Sequence, residues 1–546
     1  MHAGGPGPWL GLFEADGRRS SWSNGLQFSA SHSSTGSRYQ CDAWSASPWS
    51  TWLQRFTPST HSWSAPQRRR RVGVGAAAAV WIIVERDLDG ERGGVTREAL
   101  PSHAHRCCLR PRLRARLSTA SLSIHRASHL GARFVALGQA GGMIGRGILD
   151  GIRVLDFTRV VAGPSCTRVL ADLGAEVVKV EPPEGDLLRT GWPRRGGVSV
   201  IFAGQNAGKR FVAVDLRQAA GVDLVLRLAE RCDVVVENFR PGVAARLGIG
   251  YDQVRARRPS TVYCSVSGYG QDGRAAQRRA YAPVVHAEVG LLQYKARETE
   301  REPVPEPVSH ADIAAGMAAA QGVLAALFRR ERTGQGAHVD ASMCEAMLAA
   351  NEWSAVEANG GPDYARSPFR PGKAAVVQLG DVAGTWVAVP GSPAAALVAC
   401  ARLWGRPELL DEPRFATMED RSAHLDDCIA LIGEFAATFT SFDAFESTMS
   451  DGARLPIGRL ATMADTLEVD WAVDRGAYVE VPAGDGGKVV VHRSPLRISD
   501  ADCGPRGGVG HLGADNRAVL TDVLGLTPDD LDRLESAGVI VARDDR

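Results

Sequence analysis

Apolar residues in this chain fall into short runs, separated by glycine turns and amphipathic stretches, and the alternation begins near residue 150. Ile152–Phe157 is an apolar run of the length expected for a buried parallel strand. Gly163-Pro164 then opens a helix, with proline in the first turn where its missing N–H leaves no bond unmade. The pattern carries this helix to about Leu173 and stops it at Gly174, and a second apolar run, Glu176–Val180, follows at once. Strand, helix, strand is a βαβ unit, and its right-handed crossover puts both strands in one sheet. The alternation continues with a strand at Phe211–Leu216, a helix at Ala219–Arg231, a strand at Asp233–Glu237, an amphipathic turn at Tyr251–Arg258 and a strand at Thr261–Val266. Strands alternating with helices predict an α/β fold built on a doubly wound parallel sheet. Ligands of such sheets bind beyond the carboxyl ends of the strands. The polar, glycine-containing ends Thr158–Pro164, Asn238–Gly242 and Ser267–Gly270 are therefore the expected rim of a site.

The first 142 residues do not share this pattern. They hold 18 arginines, no lysine and 8 acidic residues, a formal charge of +10, whereas the whole chain carries +1. Seven of the twelve tryptophans precede Ile82. Gly75–Val84 is apolar but too short to span a bilayer, and it lies too far along the chain for a usual signal segment. A basic arm for nucleic acid or membrane, around Arg68–Arg71 and Arg110–Arg116, is one reading, and a targeting peptide is another. The expectation adopted is a third, in which residues 1–142 are a basic extension outside the working protein, which starts at Met143. His103, His105, Cys107 and Cys108 match no common zinc spacing, so no metal is expected. Ten scattered cysteines suit reduced thiols in a cytoplasmic protein, with neither a membrane nor nucleic acid as partner.

Nucleotide fingerprints are missing where the sheet would need them. Gly138–Gly147 is glycine-rich but precedes the first strand and lacks the Gly-Lys-Ser/Thr ending of a phosphate loop. The turn Val160–Pro164 has one glycine where a dinucleotide turn has three, which excludes NAD and ATP readings. The remaining chemical candidate is Asp312, at the head of a strong helix that ends at Gly334. The positive end of the helix dipole favours its ionised form. Such a carboxylate is either a structural acid of the first turn or a covalent nucleophile, and the residues alone leave both open.

Several separated segments narrow the choice. They include GIRVLDFTRVVAGP (Gly151–Pro164), LADLGAEVVKVEPP (Leu170–Pro183), KRFVAVDLR (Lys209–Arg217) and DVVVENFRPG (Asp233–Gly242). Further on come LGIGYDQVRARRPSTVYCSVSGYGQDG (Leu247–Gly273), ADIAAGMAAAQGVLAAL (Ala311–Leu327) and RTGQGAHVDASM (Arg332–Met343). In this order they resemble the family III CoA-transferases, the group of formyl-CoA and crotonobetainyl-CoA transferases, from about Leu149 to Ala542. The resemblance implies an enzyme that moves coenzyme A from an acyl-CoA to a carboxylic acid, with no tightly bound cofactor. It assigns the nucleophile to Asp312 and the CoA contacts to Val161, Ala162, Asp215, Leu216, Arg217, Asn238, Phe239, Arg240, Arg246, Arg279 and Tyr281. Guanidinium forks suit the phosphates of CoA.

The resemblance also implies a Rossmann-like large domain from both chain ends, a smaller inserted α+β domain, and an interlocked homodimer. Its expected boundaries are 148–345 and 468–546 for the large domain, 372–455 for the small one, and linkers at 346–371 and 456–467. Departures bear on the reaction. Ala280-Tyr281-Ala282 stands where α-methylacyl-CoA racemases of the superfamily carry a histidine base. Tyrosine, with a reference pKa of about 10, is a poor base at neutral pH. His286 and His310 are nearby as displaced bases, and Glu298–His310 is a candidate pocket lining. Only Gly360-Gly361 stands near the place of the mobile glycine loop of formyl-CoA transferases, and Pro182 replaces a polar residue found in some relatives. A racemase and a catalytically silent CoA-binding protein are the alternatives.

Overall fold

A central sheet of six parallel strands organises the molecule: β1 (Arg153–Asp156), β2 (Glu176–Glu181), β3 (Arg210–Ala213), β4 (Val234–Glu237), β5 (Val262–Ser267) and β6 (His338–Ser342). Their order across the sheet is β3-β2-β1-β4-β5-β6, every pair parallel. The computed structural model describes residues 147–360 and 374–543. The chain divides into two units, Met1–Leu122 and Ser123–Arg546, and everything described lies in the second. The basic extension, with its His103–Cys108 cluster, is outside the described residues.

Helices cover both faces of the sheet, which is why its strands read as nearly unbroken apolar runs. One face carries α1 (Ala162–Asp172), α6 (Ala282–Glu288), α8 (His310–Thr333) and α9 (Met343–Ala350), around Val154, Val236, Ala315 and Val323, with α2 (Val200–Asn206) beside α1 and α7 (Leu291–Thr299) beside α6. The other carries α3 (Ala219–Ala229) and α5 (Tyr251–Arg257), with the helices Asn516–Leu524 and Pro528–Ser536, around Leu155, Leu228 and Tyr263. At 24 residues α8 is long and apolar enough to cross a bilayer, a property the sequence reading passed over. Part of its apolar surface lies in the core, where Ala311, Ala315, Ala319 and Val323 are buried.

Most predicted elements stand within a residue or two of their expected bounds. β3 is shorter than Phe211–Leu216 because Val214 bridges antiparallel to Ile540 and so starts a different pairing. Asp515 and Asn516 accept from the backbone N–H groups of Phe211 and Ala213, and Asp215 donates its N–H to Val539. The C-terminal segment thus closes the sheet edge. β6 escaped prediction because HVDAS carries no apolar run.

Residues 375–459 form a separate antiparallel sheet, β7 (Ala375–Gln378), β8 (Trp386–Val389) and β9 (Gly458–Arg459), with β8 central. Its core includes Val377, Leu397, Phe415, Ile432 and Phe445. Two stretches read as linkers carry structure. Residues 456–467 donate β9, and 346–371 are helical at α9 and Trp353–Gly360 over their described part.

Candidate active site

Strand order reverses between β1 and β4, the point in such sheets where a ligand crevice is expected at the carboxyl edge. The loop after β1 is pinned from below by buried charge. Lys179, on β2, donates to the Thr158 carbonyl at 2.7 Å and lies 3.2 Å from Asp186. Asp186 in turn accepts the Val160 N–H, with both carboxylate oxygens at 3.2 Å. Beside this pair, Lys209 meets Asp156 at 3.0 Å, Thr167 at 2.7 Å and Asn206 at 2.8 Å. Burial alone would raise the Asp156 carboxyl, yet Lys209 and Lys179 hold it below the usual carboxylate range. Burial pulls the Lys209 ammonium down to about 8 despite its partner.

Val160 sits at φ +67°, a left-handed conformation that a β-branched residue adopts at a cost of about 1–3 kcal/mol. Arg159, just before it, is exposed. Its N–H donates to Asn238 Oδ1 at 2.8 Å, and its carbonyl accepts from Asn238 Nδ2 at 2.8 Å. Asn238 therefore staples the loop after β1 to the loop after β4. Gly163 makes the close approach possible, since a Cβ there would lie 2.4 Å from Thr158 and 3.0 Å from Asn238.

A cleft of about 250 Å³ lies along these strand ends. Phe157, Pro182, Pro183, Leu216, Phe239 and Leu247 give it apolar walls, and Arg159, Glu184, Asp215 and Arg217 give it charge. Arg217 is engaged with Asp215 at 2.7 Å and Glu184 at 3.4 Å. Hydrogen bonds from Arg217 hold the Asp215 carboxyl down at about 2. Glu237, buried at the end of β4, accepts the Phe239 N–H at 2.7 Å and is pushed up to about 7 by burial.

Of the residues the resemblance assigns to CoA, Asp215, Leu216, Arg217 and Phe239 line the cleft. Asn238 and Arg240 stand on the same turn as Phe239, and Arg246 ends the short helix α4 (Val243–Arg246) just beyond it. Val161 and Ala162 begin α1. Arg279 and Tyr281 lie on the loop after β5, which Gln277 ties to the Pro241 carbonyl at 3.2 Å. Ala280 packs on Gly268 so closely that a Cβ on that glycine would come within 2.3 Å. Tyr281 is 59 % exposed and precedes α6. Sequence reading missed Arg159, Phe157 and Leu247. The sign that could have found Arg159 was its place inside the polar turn Thr158–Pro164.

Asp312 stands in the first turn of α8, three residues past its cap Ser309. One turn later Gly316 lies against the start of α1, where an added Cβ would be 2.7 Å from the Ala162 carbonyl oxygen. The crossing brings the head of α8 to the loop after β1. Asp312 is 8 % exposed, and burial raises its carboxyl to about 6. Desolvation thus works against the helix dipole, which favours the anion, and most of the group is still ionised at pH 7. His286, fully buried on α6, accepts the N–H of Ala311 at 3.1 Å through Nε2, and burial lowers its pKa. Nε2 of His286 is thus engaged at the head of α8, while its Nδ1 is buried without a hydrogen-bond partner among the described residues. Among the described residues no three His, Cys, Asp or Glu gather as a metal site.

Residues 149–516 match the model of CoA-transferase family III. Succinyl-CoA–D-citramalate CoA-transferase of Chloroflexus aurantiacus is 33 % identical over 405 residues, 72 % of this chain and 98 % of that protein. Formyl-CoA:oxalate CoA-transferase of Streptomyces avermitilis is 33 % identical over 413 residues, 72 % of this chain and 99 % of the relative. A CaiB/BaiF family protein from Brucella suis superposes with a TM-score of 0.59 at 29 % identity, covering 69 % of this chain and all of that one.

Proposed function

The chain belongs to CoA-transferase family III, and from that premise we propose that it passes coenzyme A from an acyl-CoA to a carboxylic acid through a covalent intermediate on Asp312. The observation that carries this reading is the isolation of Asp312. It is a buried carboxylate with no ion-pair or hydrogen-bond partner among the described residues, at the head of a helix that meets the crevice loop. A stripped carboxylate is a stronger nucleophile than a hydrated or ion-paired one.

The steps follow covalent catalysis. An Asp312 oxygen attacks the thioester carbonyl and expels the CoA thiolate, leaving an acyl-aspartyl anhydride. The thiolate attacks the aspartyl carbonyl, releases the donor acid and forms an aspartyl-CoA thioester. The acceptor carboxylate attacks that thioester, and CoA thiolate leaves again. Attack of the thiolate on the acceptor's acyl carbon gives the new acyl-CoA and frees Asp312. On this reading the residues assigned by resemblance, from Val161 to Tyr281, hold CoA. The working form is a homodimer, a view supported by apolar side chains left exposed on α8 and α9, namely Met317, Phe328 and Leu348.

Trapping tests the proposal. Wild-type protein incubated with acyl-CoA and hydroxylamine should be marked on the peptide containing Asp312. Deuterium exchange at the substrate α-carbon without that mark would favour a racemase and defeat the transfer reading.

A further inference from the structure

The cleft holds two arginines, and the structure treats them differently. Arg217 is neutralised by Asp215 and Glu184. The Arg159 guanidinium meets no carboxylate among the described residues, and its nearest aromatic neighbour is the Phe239 ring at 5.9 Å. Yet the backbone that carries it is held at four points. Lys179 takes the Thr158 carbonyl, Asn238 takes both the N–H and the carbonyl of Arg159, and Asp186 takes the Val160 N–H. Two of the holders, Lys179 and Asp186, are buried charges paired with each other beneath the sheet edge. Their hold keeps Val160 in its strained conformation. A free cation on an over-determined backbone, at the mouth of an apolar-walled cleft, is an arrangement suited to one fixed anion.

We propose that Arg159 contacts a phosphate group of the acyl-CoA in this cleft, and that the buried Lys179–Asp186 pair is a positioning device that aims it. The inference rests on the transferase reading in taking CoA as the ligand. Arg159 supplies a planar guanidinium to two phosphate oxygens. Lys179 and Asp186 act through the loop and touch no ligand. Asn238 shares in the positioning, since both its amide atoms are engaged by the Arg159 backbone.

The experiment measures binding of CoA and of 3′-dephospho-CoA to full-length variants by calorimetry. Arg159→Ala should weaken CoA about tenfold or more, the scale of a lost charge-assisted hydrogen bond. Arg159→Lys should recover part of the loss, because it restores the charge without the fork. If the loss disappears with dephospho-CoA, Arg159 holds the 3′-phosphate; if it persists, it holds the pyrophosphate. Asp186→Ala should lose affinity like Arg159→Ala, the double variant should be no weaker than either, and Asp186→Asn, which keeps an acceptor for the Val160 N–H, should recover most of it. Should Asp186→Ala not fold, Asp186→Asn and the exposed Arg159 variants decide. Wild-type binding with unchanged affinity in Arg159→Ala overturns the inference and leaves the transferase reading standing. Absence of both CoA transfer and the Asp312 mark in the wild type overturns the transferase reading instead.

Discussion

Two buried aspartates, Asp156 at the end of β1 and Asp312 at the head of α8, are alike in burial and unlike in surroundings. Asp156, under the loop after β1, is surrounded by Lys209, Lys179, Thr158 and Thr167, and its carboxyl is held low. Asp312, at the head of α8, has its carboxyl raised to about 6 by burial. The first arrangement makes a rigid floor and a chemically quiet group. The second keeps a charge in a place that does not stabilise it, which is the condition under which it gains by reacting. Burial by itself therefore separates neither structure from chemistry; the company kept by the buried charge does.

Substitution of the two residues should have opposite signatures. Asp312→Asn should reduce transfer by about a thousandfold or more, the scale of losing a covalent nucleophile. The same change should make the fold more stable at pH 7. A folded pKa near 6 against an ordinary 3.8 means that the folded state binds the proton more tightly. Stability from this group is therefore full below about pH 4, declines as pH rises towards 6, and is lowest above it. Removing the charge recovers on the order of 2–3 kcal/mol at pH 7 by that linkage. Thermal unfolding of the variant across pH 4–8 checks the sign, and a destabilised variant would erase the contrast.

Asp156→Asn should do the reverse, weakening the fold by about 3–5 kcal/mol because it leaves Lys209 buried without its charge partner. Chemical denaturation reads this directly. Activity should fall only in step with the folded fraction. A smaller effect is expected on the loop after β5, where Arg279→Ala should weaken CoA roughly tenfold, with no change in melting temperature. The mildest test leaves the chain intact: the rate of covalent marking should rise with pH around a midpoint near 6, not near 4, when followed in single turnovers. A midpoint near 4 would mean that Asp312 is hydrated when it works.

The comparison also explains what could be read before any coordinates. Strands buried on both faces announce themselves as apolar runs, so β1, β2, β4 and β5 were visible with their glycine punctuation. β6 was not, because residues 338–342 alternate between exposed and half-buried positions before they become buried. Asp312 was visible as a residue and a helix position, but not as an isolated charge, since isolation is a property of everything that fails to approach it. Arg159 lay in a turn already marked as a rim. Nothing along the chain could reveal that Asn238, 79 residues later, would staple its backbone, or that Lys179 and Asp186 would meet beneath it.

The closure of β3 by the C-terminal segment sets a timetable for biosynthesis. Ala213 finds its partner Asn516 303 residues downstream. At about 5–20 residues per second, a ribosome takes roughly 15–60 s to supply that partner. For that interval the outer edge of β3 has open hydrogen-bonding groups, the kind of edge that recruits other chains. A chain cut short before Asp515 and Asn516 would leave that edge permanently open.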